Sequence, residues 1–195
     1  AELQRLVKAY PGRFTVCEAT AQPLDYAQPG LCGSAFAFGL ETALVQAARG
    51  DAAAIAKVAS YTAGAPGSIG TFLANHDKFT GRRLMDQLRG DEAAYRLAAA
   101  TYLMLPGTPY IYYGEEIDQS GAEGLGGAPQ IRGPMSWTAD APTAGFTTGK
   151  PYRALAANRA THNAAAQAAQ ADGLFAHYQA LIQLRNALPS IARGR

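Results

Sequence analysis

Glu18 and Asp77 are the residues of this sequence best placed to do chemistry. Each closes a short apolar run: Glu18 ends residues 14–18 (FTVCE), and Asp77 follows residues 71–74 (TFLA) as the last of the polar triplet Asn75-His76-Asp77. A strand end is a position where desolvation can raise a carboxyl pKa, and where packing alone would favour valine or isoleucine. Two such carboxylates can cleave a glycosidic bond, one protonating the leaving oxygen while the other meets positive charge developing on the sugar. Read alone, each fits equally well a strand-end carboxylate paired with an arginine or a backbone N–H. Read alone, His76 fits a histidine that caps buried structure.

The elements that must position these groups alternate between strand and helix. A helix over residues 1–10 is closed by Pro11-Gly12 and leads into the run at 14–18; a loop over 22–33 precedes a second apolar run, 34–40 (SAFAFGL), and a helix ending at Arg49-Gly50. Asp51 caps the next helix, in which Ile55, Val58, Ala59 and Thr62 repeat at helical spacing. After the third run at 71–74, Asp91 opens an amphipathic helix with Ala94, Leu97, Ala98, Thr101, Tyr102 and Leu105 on one face. Residues 110–113 (YIYY) form the fourth run. The stretch 114–171 is rich in Gly and Pro and reads as a functional loop, and a last helix after Asp172 carries Leu174, Tyr178, Leu181, Ile182 and Leu188 on one side. Short apolar strands alternating with helices predict an α/β fold with parallel strands and right-handed crossovers. Four βα units fit an open doubly wound sheet or half of an eight-fold barrel, and in both the strand C-termini carry function.

Composition narrows the partners. The 195 residues are 48% hydrophobic and 16% charged, enough for one buried core. A net charge of +2 from 17 basic and 15 acidic residues leaves no single-signed stripe for nucleic acid, and no apolar run approaches a membrane span. Cys17 and Cys32 are too few to staple a fold of this size and match no metal motif, so free, half-buried thiols are expected, with a disulfide as the alternative. The chain opens inside a helix without Met. The true N-terminus and any export signal are therefore expected to precede Ala1, leaving localisation open, with secreted or periplasmic placement ahead of cytoplasmic. Residues 121–127 lack the Lys-Ser/Thr ending of a phosphate loop, and no strand leads into a Gly-rich phosphate turn, which disfavours a nucleotide-binding fold. Tyr112, Tyr113 and Trp137 could stack on sugars or serve as core.

Three segments together resemble one family. Residues 72–77 (FLANHD) resemble the seventh-strand motif of the alpha-amylase family, residues 103–117 (LMLPGTPYIYYGEEI) its seventh-helix to eighth-strand segment, and residues 131–137 (IRGPMSW) the Arg-x-Pro-Met-x-Trp signature of the following loop. The final helix with Leu184, Arg185 and Asn186 also fits, so the resemblance spans nearly the whole chain. It implies the second half of a (β/α)8 TIM barrel, about four βα units from fifth strand to eighth helix, occupying residues 1–195. The N-terminal half, an inserted domain and a C-terminal β-domain would then be absent from this chain.

The implied activity is cleavage or transfer of α-glucosidic bonds in starch, malto-oligosaccharides or related α-glucosides with retention of configuration. By position, Glu18 is the implied acid/base and Asp77 the transition-state stabiliser. His76 would bind sugar, Asn75 would orient the pair, and the arginine after Asp77 would be Arg82 or Arg83, with Arg83 taken as the substrate-binding candidate. The family usually has Gly before and Val-Trp after the acid, whereas Cys17 and Ala19-Thr20 flank Glu18 here. No Gly-x-Arg-x-Asp pattern for the nucleophile occurs in these residues, so the chain alone is expected to be inactive. Glu115 and Glu116 are expected to brace the eighth strand. No cofactor or metal is implied within this chain, although calcium is possible in a full-length protein. The partner is an α-glucan or α-glucoside, and exposed half-barrel edges would promote self-association. A non-catalytic half-barrel, binding sugar or serving assembly, is the alternative.

Overall fold

The computed structural model describes residues 2–193. Its centre is a run of parallel pairings with very short ladders. The backbone at Cys17 pairs with Ala35 and that at Phe36 with Gly70, both in parallel, and strand β1 (Gly70–Thr71) pairs in parallel with β2 (Thr108–Pro109) in the register Gly70 to Thr108 and Thr71 to Pro109. The evenly stepped hydrogen bonds run from Cys17 N–H to Ser34 O at 2.9 Å, from Gly70 N–H to Ala35 O at 2.8 Å and from Tyr110 N–H to Thr71 O at 2.7 Å.

The four expected apolar runs therefore become neighbours in chain order, all parallel. The extent of strand is much smaller than expected and displaced. Residues 71–74 and 110–113 lie mostly beyond the ladder, which uses 70–71 and 108–109 instead. Proline at 109 has no N–H to extend the pairing. Gly107 (φ +102°) precedes it where a Cβ would collide with the Ile69 carbonyl oxygen, so the approach of the two chains depends on glycine. Phe72, Leu73 and Ala74 are buried nonetheless, Phe72 against the rings of Phe36 and Phe38 and Leu73 within the main hydrophobic core.

Helices supply most of the core. After α1 (Glu2–Lys8) and the short α2 (Pro23–Tyr26) come α3 (Leu40–Ala48) and α4 (Ala52–Gly64), which pack together. The 3-10 turn Lys78–Thr80 and α5 (Leu84–Leu88) lead to α6 (Glu92–Met104). Asp51 and Asp91 cap α4 and α6 as expected, accepting from Ala54 N–H at 2.8 Å and Ala94 N–H at 3.0 Å. The buried face of α6 is rotated by about one position from the expected one. Ala94, Tyr95, Ala98, Ala99, Tyr102 and Leu103 face inward, whereas Leu97 is exposed. Ile55 of α4 is likewise exposed, and both side chains border a surface groove of about 1280 Å³. The tyrosines win the interior because their hydroxyls find a buried acceptor in Glu115, described below.

The stretch 114–171 is an ordered polar scaffold. It contains the 3-10 turn Glu115–Ile117, α7 (Gly127–Ile131) and α8 (Ala164–Ala168). Buried Gln119 donates to Pro134 O at 3.0 Å and accepts from Ser136 N–H at 2.8 Å, while Asn158 donates to Asp118 O at 2.8 Å and accepts from Ser120 N–H at 3.0 Å. Side-chain amides thus satisfy backbone groups that no ladder reaches. The final helices, α9 (Leu174–Ala187) and α10 (Pro189–Arg193), follow. Arg185 of α9 is buried and donates to the carbonyls of Leu103 at 2.6 Å and Leu105 at 2.8 Å and to that of Gly107, closing the C-terminal end of α6.

Cys17 and Cys32 form a disulfide, with Cα atoms 5.9 Å apart, and are not free thiols. Counting cysteines could not reveal this. The loop after Glu18 turns through α2 and returns alongside its own start, where Ser34 O receives Cys17 N–H, and that return places Cys32 beside Cys17. Among the described residues no helix is long and apolar enough to cross a membrane.

Candidate active site

Asp77 is held from two sides. Asn75 Oδ1 accepts from the Asp77 N–H at 2.8 Å and from Thr80 Oγ1 at 2.9 Å, and Thr80 Oγ1 also approaches Asp77 O at 2.8 Å, so the turn after the buried run 72–74 is tied by its own side chains. Arg132 Nη2 donates to Asp77 Oδ1 at 3.1 Å, and its Nε donates to His76 O at 2.7 Å. His76 Nε2 lies 3.6 Å from the same carboxylate oxygen, with its ring exposed. The half-buried carboxylate is thus aimed outward beside an imidazole that solvent, or a ligand, can reach.

Glu18 stands one residue past the Cys17–Ala35 pairing, on the same C-terminal side of the parallel segments. Its side chain is exposed and makes no hydrogen bond or ion pair among the described residues. Between the Glu18 and Asp77 segments lies an aromatic floor. Phe36 meets Phe72 and Tyr110 edge-on with ring centres 5.8 and 4.8 Å apart, and Phe38 meets Phe72 at 5.3 Å.

Arg83 sits elsewhere. It is 2% exposed, its guanidinium lies 4.6 and 4.4 Å from the ring centres of Tyr112 and Tyr113, and it donates to Tyr113 O. As placed, it braces the two tyrosines, and Arg132 is the arginine beside Asp77. Sequence reasoning assigned Arg132 no role, although it is the arginine that opens the signature quoted from residues 131–137; which arginine comes back to Asp77 depends on the path of a loop 55 residues downstream.

Glu115 is fully buried and accepts from Tyr102 Oη at 2.9 Å and Tyr178 Oη at 2.7 Å, while Tyr95 Oη donates to its carbonyl at 2.7 Å. Burial pushes its carboxyl up to about 7, against the two phenol hydrogen bonds that favour the charged form. It therefore ties α6 and α9 to the segment after β2, as expected of a brace. Burial, reinforced by the Glu92 and Asp86 charges, also raises Asp118 to about 7. Among the described residues no three His, Cys, Asp or Glu side chains gather closely enough to hold a metal ion.

Parallel segments joined through helices, with ionisable and aromatic groups gathered at their C-terminal ends, define an α/β protein whose site is built at strand termini. Comparison with known proteins refines the class. The family model for the alpha-amylase catalytic domain matches residues 2–194, and the chain belongs to the alpha-amylase family. The trehalose synthase/amylase TreS of Mycolicibacterium smegmatis is 31% identical over 196 residues, covering 78% of this chain and 33% of that protein. The alpha-amylase SusG of Bacteroides thetaiotaomicron is 36% identical over 124 residues, covering 64% of this chain and 17% of SusG. Among solved structures, the alpha-amylase of H. orenii superposes with a TM-score of 0.74 at 27% identity, covering 100% of this chain and 40% of that one. The alpha-glucosyl transfer enzyme XgtA does so with a TM-score of 0.79 at 28% identity, covering 97% and 39%. The chain spans about a third of the length of the first curated relatives.

Proposed function

We propose that this chain is the second half of a (β/α)8 barrel and carries the acid/base and stabilising carboxylates of a retaining α-glucosidic enzyme. The observation that carries the reading is the Asp77 grip: a carboxylate at the end of a buried run, oriented by Asn75 and Arg132, with the exposed His76 ring beside it. In this reading Asp77 binds the hydroxyls of one glucosyl ring and faces the positive charge that develops on it, and His76 donates to a hydroxyl of the same ring. Glu18 protonates the leaving oxygen and afterwards deprotonates the incoming water or sugar hydroxyl. The unpaired, accessible Glu18 side chain suits a group that must meet substrate. Arg83 stays beneath Tyr112 and Tyr113 and holds that wall of the site.

The nucleophilic carboxylate comes from a segment other than these 195 residues, and the chain alone does not turn over substrate. The relatives named trehalose synthase/amylase and alpha-amylase support an α-glucoside as substrate. The disulfide supports an oxidising compartment outside the cytoplasm.

The test uses a polypeptide that also contains the nucleophile-bearing half. Glu18→Gln is expected to lower kcat on maltotriose by about 10²–10⁴-fold with little change in sugar affinity. Rates within a few-fold of the unsubstituted protein would remove Glu18 from the role. Hydrolysis by the 195-residue chain itself would overturn the divided site.

A further inference from the structure

The disulfide that closes the loop after the first apolar run sits directly against Glu18. Cys17 is the last residue of that run to pair: its N–H donates to Ser34 O at 2.9 Å, and its carbonyl accepts from Phe36 N–H at 3.0 Å. Beyond it the chain is untied. Among the described residues, positions 18–21 take part in no backbone or side-chain hydrogen bond, and the next tie is Gln22 O, which accepts from Asp25 N–H at the start of α2. Ala19 is half-buried and Thr20 exposed, so neither small side chain offers much to pack. The backbone of Glu18 is therefore held from one side only, at Cys17.

The far end of the link is anchored independently. Cys32 N–H donates to Tyr26 O at 3.0 Å, and its carbonyl accepts from Thr15 Oγ1 at 2.7 Å. Gln4 Nε2, from the buried residue of α1, donates to the same carbonyl and to Thr15 Oγ1. Cys17 itself packs against the main hydrophobic core. The bond from Cys17 to Cys32 thus joins a residue fixed on the core to one fixed on α1 and α2, and it closes residues 17–32 into a ring. Ring closure removes the conformations in which the untied stretch swings outward.

A general acid must come within hydrogen-bond reach of the leaving oxygen, and a misplacement of about 1 Å can cost up to about 10²-fold in rate. With neither packing nor hydrogen bonds to hold 18–21, the covalent link is the restraint that remains. We infer that the Cys17–Cys32 disulfide is a positioning device for the Glu18 carboxyl, so that turnover depends on its oxidation state. The inference rests on the reading of Glu18 as acid/base. A dithiol reductant breaks the S–S bond by exchange: it gives up two electrons and two protons and becomes a disulfide, and Cys17 and Cys32 become thiols. The ring then opens, and the stretch that carries Glu18 is tethered by backbone pairing alone.

The test again uses a polypeptide that also contains the nucleophile-bearing half, with two substrates. Maltotriose has a sugar leaving group that must be protonated, and its hydrolysis ends with a water that must be deprotonated. α-Glucosyl fluoride with azide requires neither, because fluoride leaves as an anion and azide attacks as one. Cys32→Ser, assayed well below its thermal midpoint, is expected to lose about tenfold in kcat on maltotriose with KM within about twofold, and less than about twofold on the fluoride with azide. Dithiothreitol should produce the same split in the unsubstituted protein, reversibly on addition of oxidised glutathione, and should leave Cys32→Ser unmoved. If Cys32→Ser does not fold, the reductant experiment decides.

Glu18→Gln separates the two readings. If it leaves maltotriose turnover near normal, Glu18 is not the acid/base and the inference falls with that reading. If it causes the large loss while Cys32→Ser or the reduced protein keeps full turnover of maltotriose, the acid/base reading stands and the positioning role is excluded. Equal loss on both substrates would also overturn the inference, since that is the signature of lowered stability alone.

Discussion

Replacing Glu115 by glutamine should flatten the dependence of stability on pH. The carboxyl titrates at about 7 in the folded chain, against 4.5 for an ordinary glutamate, and it is fully buried, so solvent screening does not reduce the effect. The folded state therefore holds its proton more tightly than the unfolded state. Below about pH 4.5 both states are protonated and the stability is fully present. Between 4.5 and 7 the unfolded chain ionises first and stability declines with rising pH; above about 7 the loss is complete. At 1.36 kcal/mol per unit the decline approaches roughly 3 kcal/mol. Glutamine keeps an acceptor for Tyr102 and Tyr178 but has no ionisation to lose. Urea titrations of both proteins from pH 4 to 8 should show the glutamine variant gaining about 3 kcal/mol relative to the parent across that window, or roughly 6–12 °C in thermal midpoint for a chain of this size. Asp118, also near 7, is common to both proteins and cancels in the difference. Parallel pH profiles would show that the buried carboxyl ionises without penalty, and the brace would have to be explained without a buried proton.

Three further outcomes follow from the frame around the site. Breaking the Cys17–Cys32 link by Cys32→Ser, across a sequence separation of 15, should cost about 3 kcal/mol and make the thermal midpoint insensitive to reductant; a variant as stable as the oxidised parent would show the link to be dispensable. Gly107→Ala should destabilise by more than about 1 kcal/mol, because alanine is strained at φ +102° and its methyl group meets Ile69 O, which accepts the Thr108 N–H. Chemical denaturation checks this, and a neutral result would refute the close approach. The outermost parallel segments leave Phe14 and Ile111 exposed, so the isolated chain should self-associate in light scattering behind size-exclusion chromatography; a monodisperse monomer with a cooperative melt would count against open half-barrel edges.

The parts of this structure that local chemistry determines were legible in the sequence. Asp51 and Asp91 cap their helices because a carboxylate three residues before a free N–H needs nothing distant to act. The order of the apolar runs implied parallel neighbours, since each is separated from the next by a stretch long enough for a crossover, a loop with the short α2 in the first case and longer helices in the other two. What could not be read depended on return paths. The Cys17–Cys32 link requires the course of the intervening loop, and the pairing of Arg132 with Asp77 requires that of the chain beyond β2. The outward turn of Leu97 shows the limit of periodicity: several rotations of α6 bury apolar residues, and the hydroxyls of Tyr95 and Tyr102, drawn to Glu115, select one.

That selection bears on how so little sheet can hold a site. With β1 and β2 sharing two residues each and the other segments joined at single bridges, ladder hydrogen bonds cannot set the geometry by themselves. The burden passes to side chains that reach across elements. Arg185 closes the end of α6 over Gly107, Glu115 ties α6 and α9 to the turn after β2, and Gln119 and Asn158 hold the loop that returns Arg132 to Asp77. Arg185, Glu115 and Gln119 are buried and Asn158 is half-buried, and each would be costly to leave unpaired, so the arrangement tolerates few alternatives. The position of the Asp77 carboxylate is therefore set mainly by this polar frame, and substitutions at Gln119 or Asn158, neither of which is one of the proposed sugar-binding groups, should disturb sugar binding through the path of Arg132.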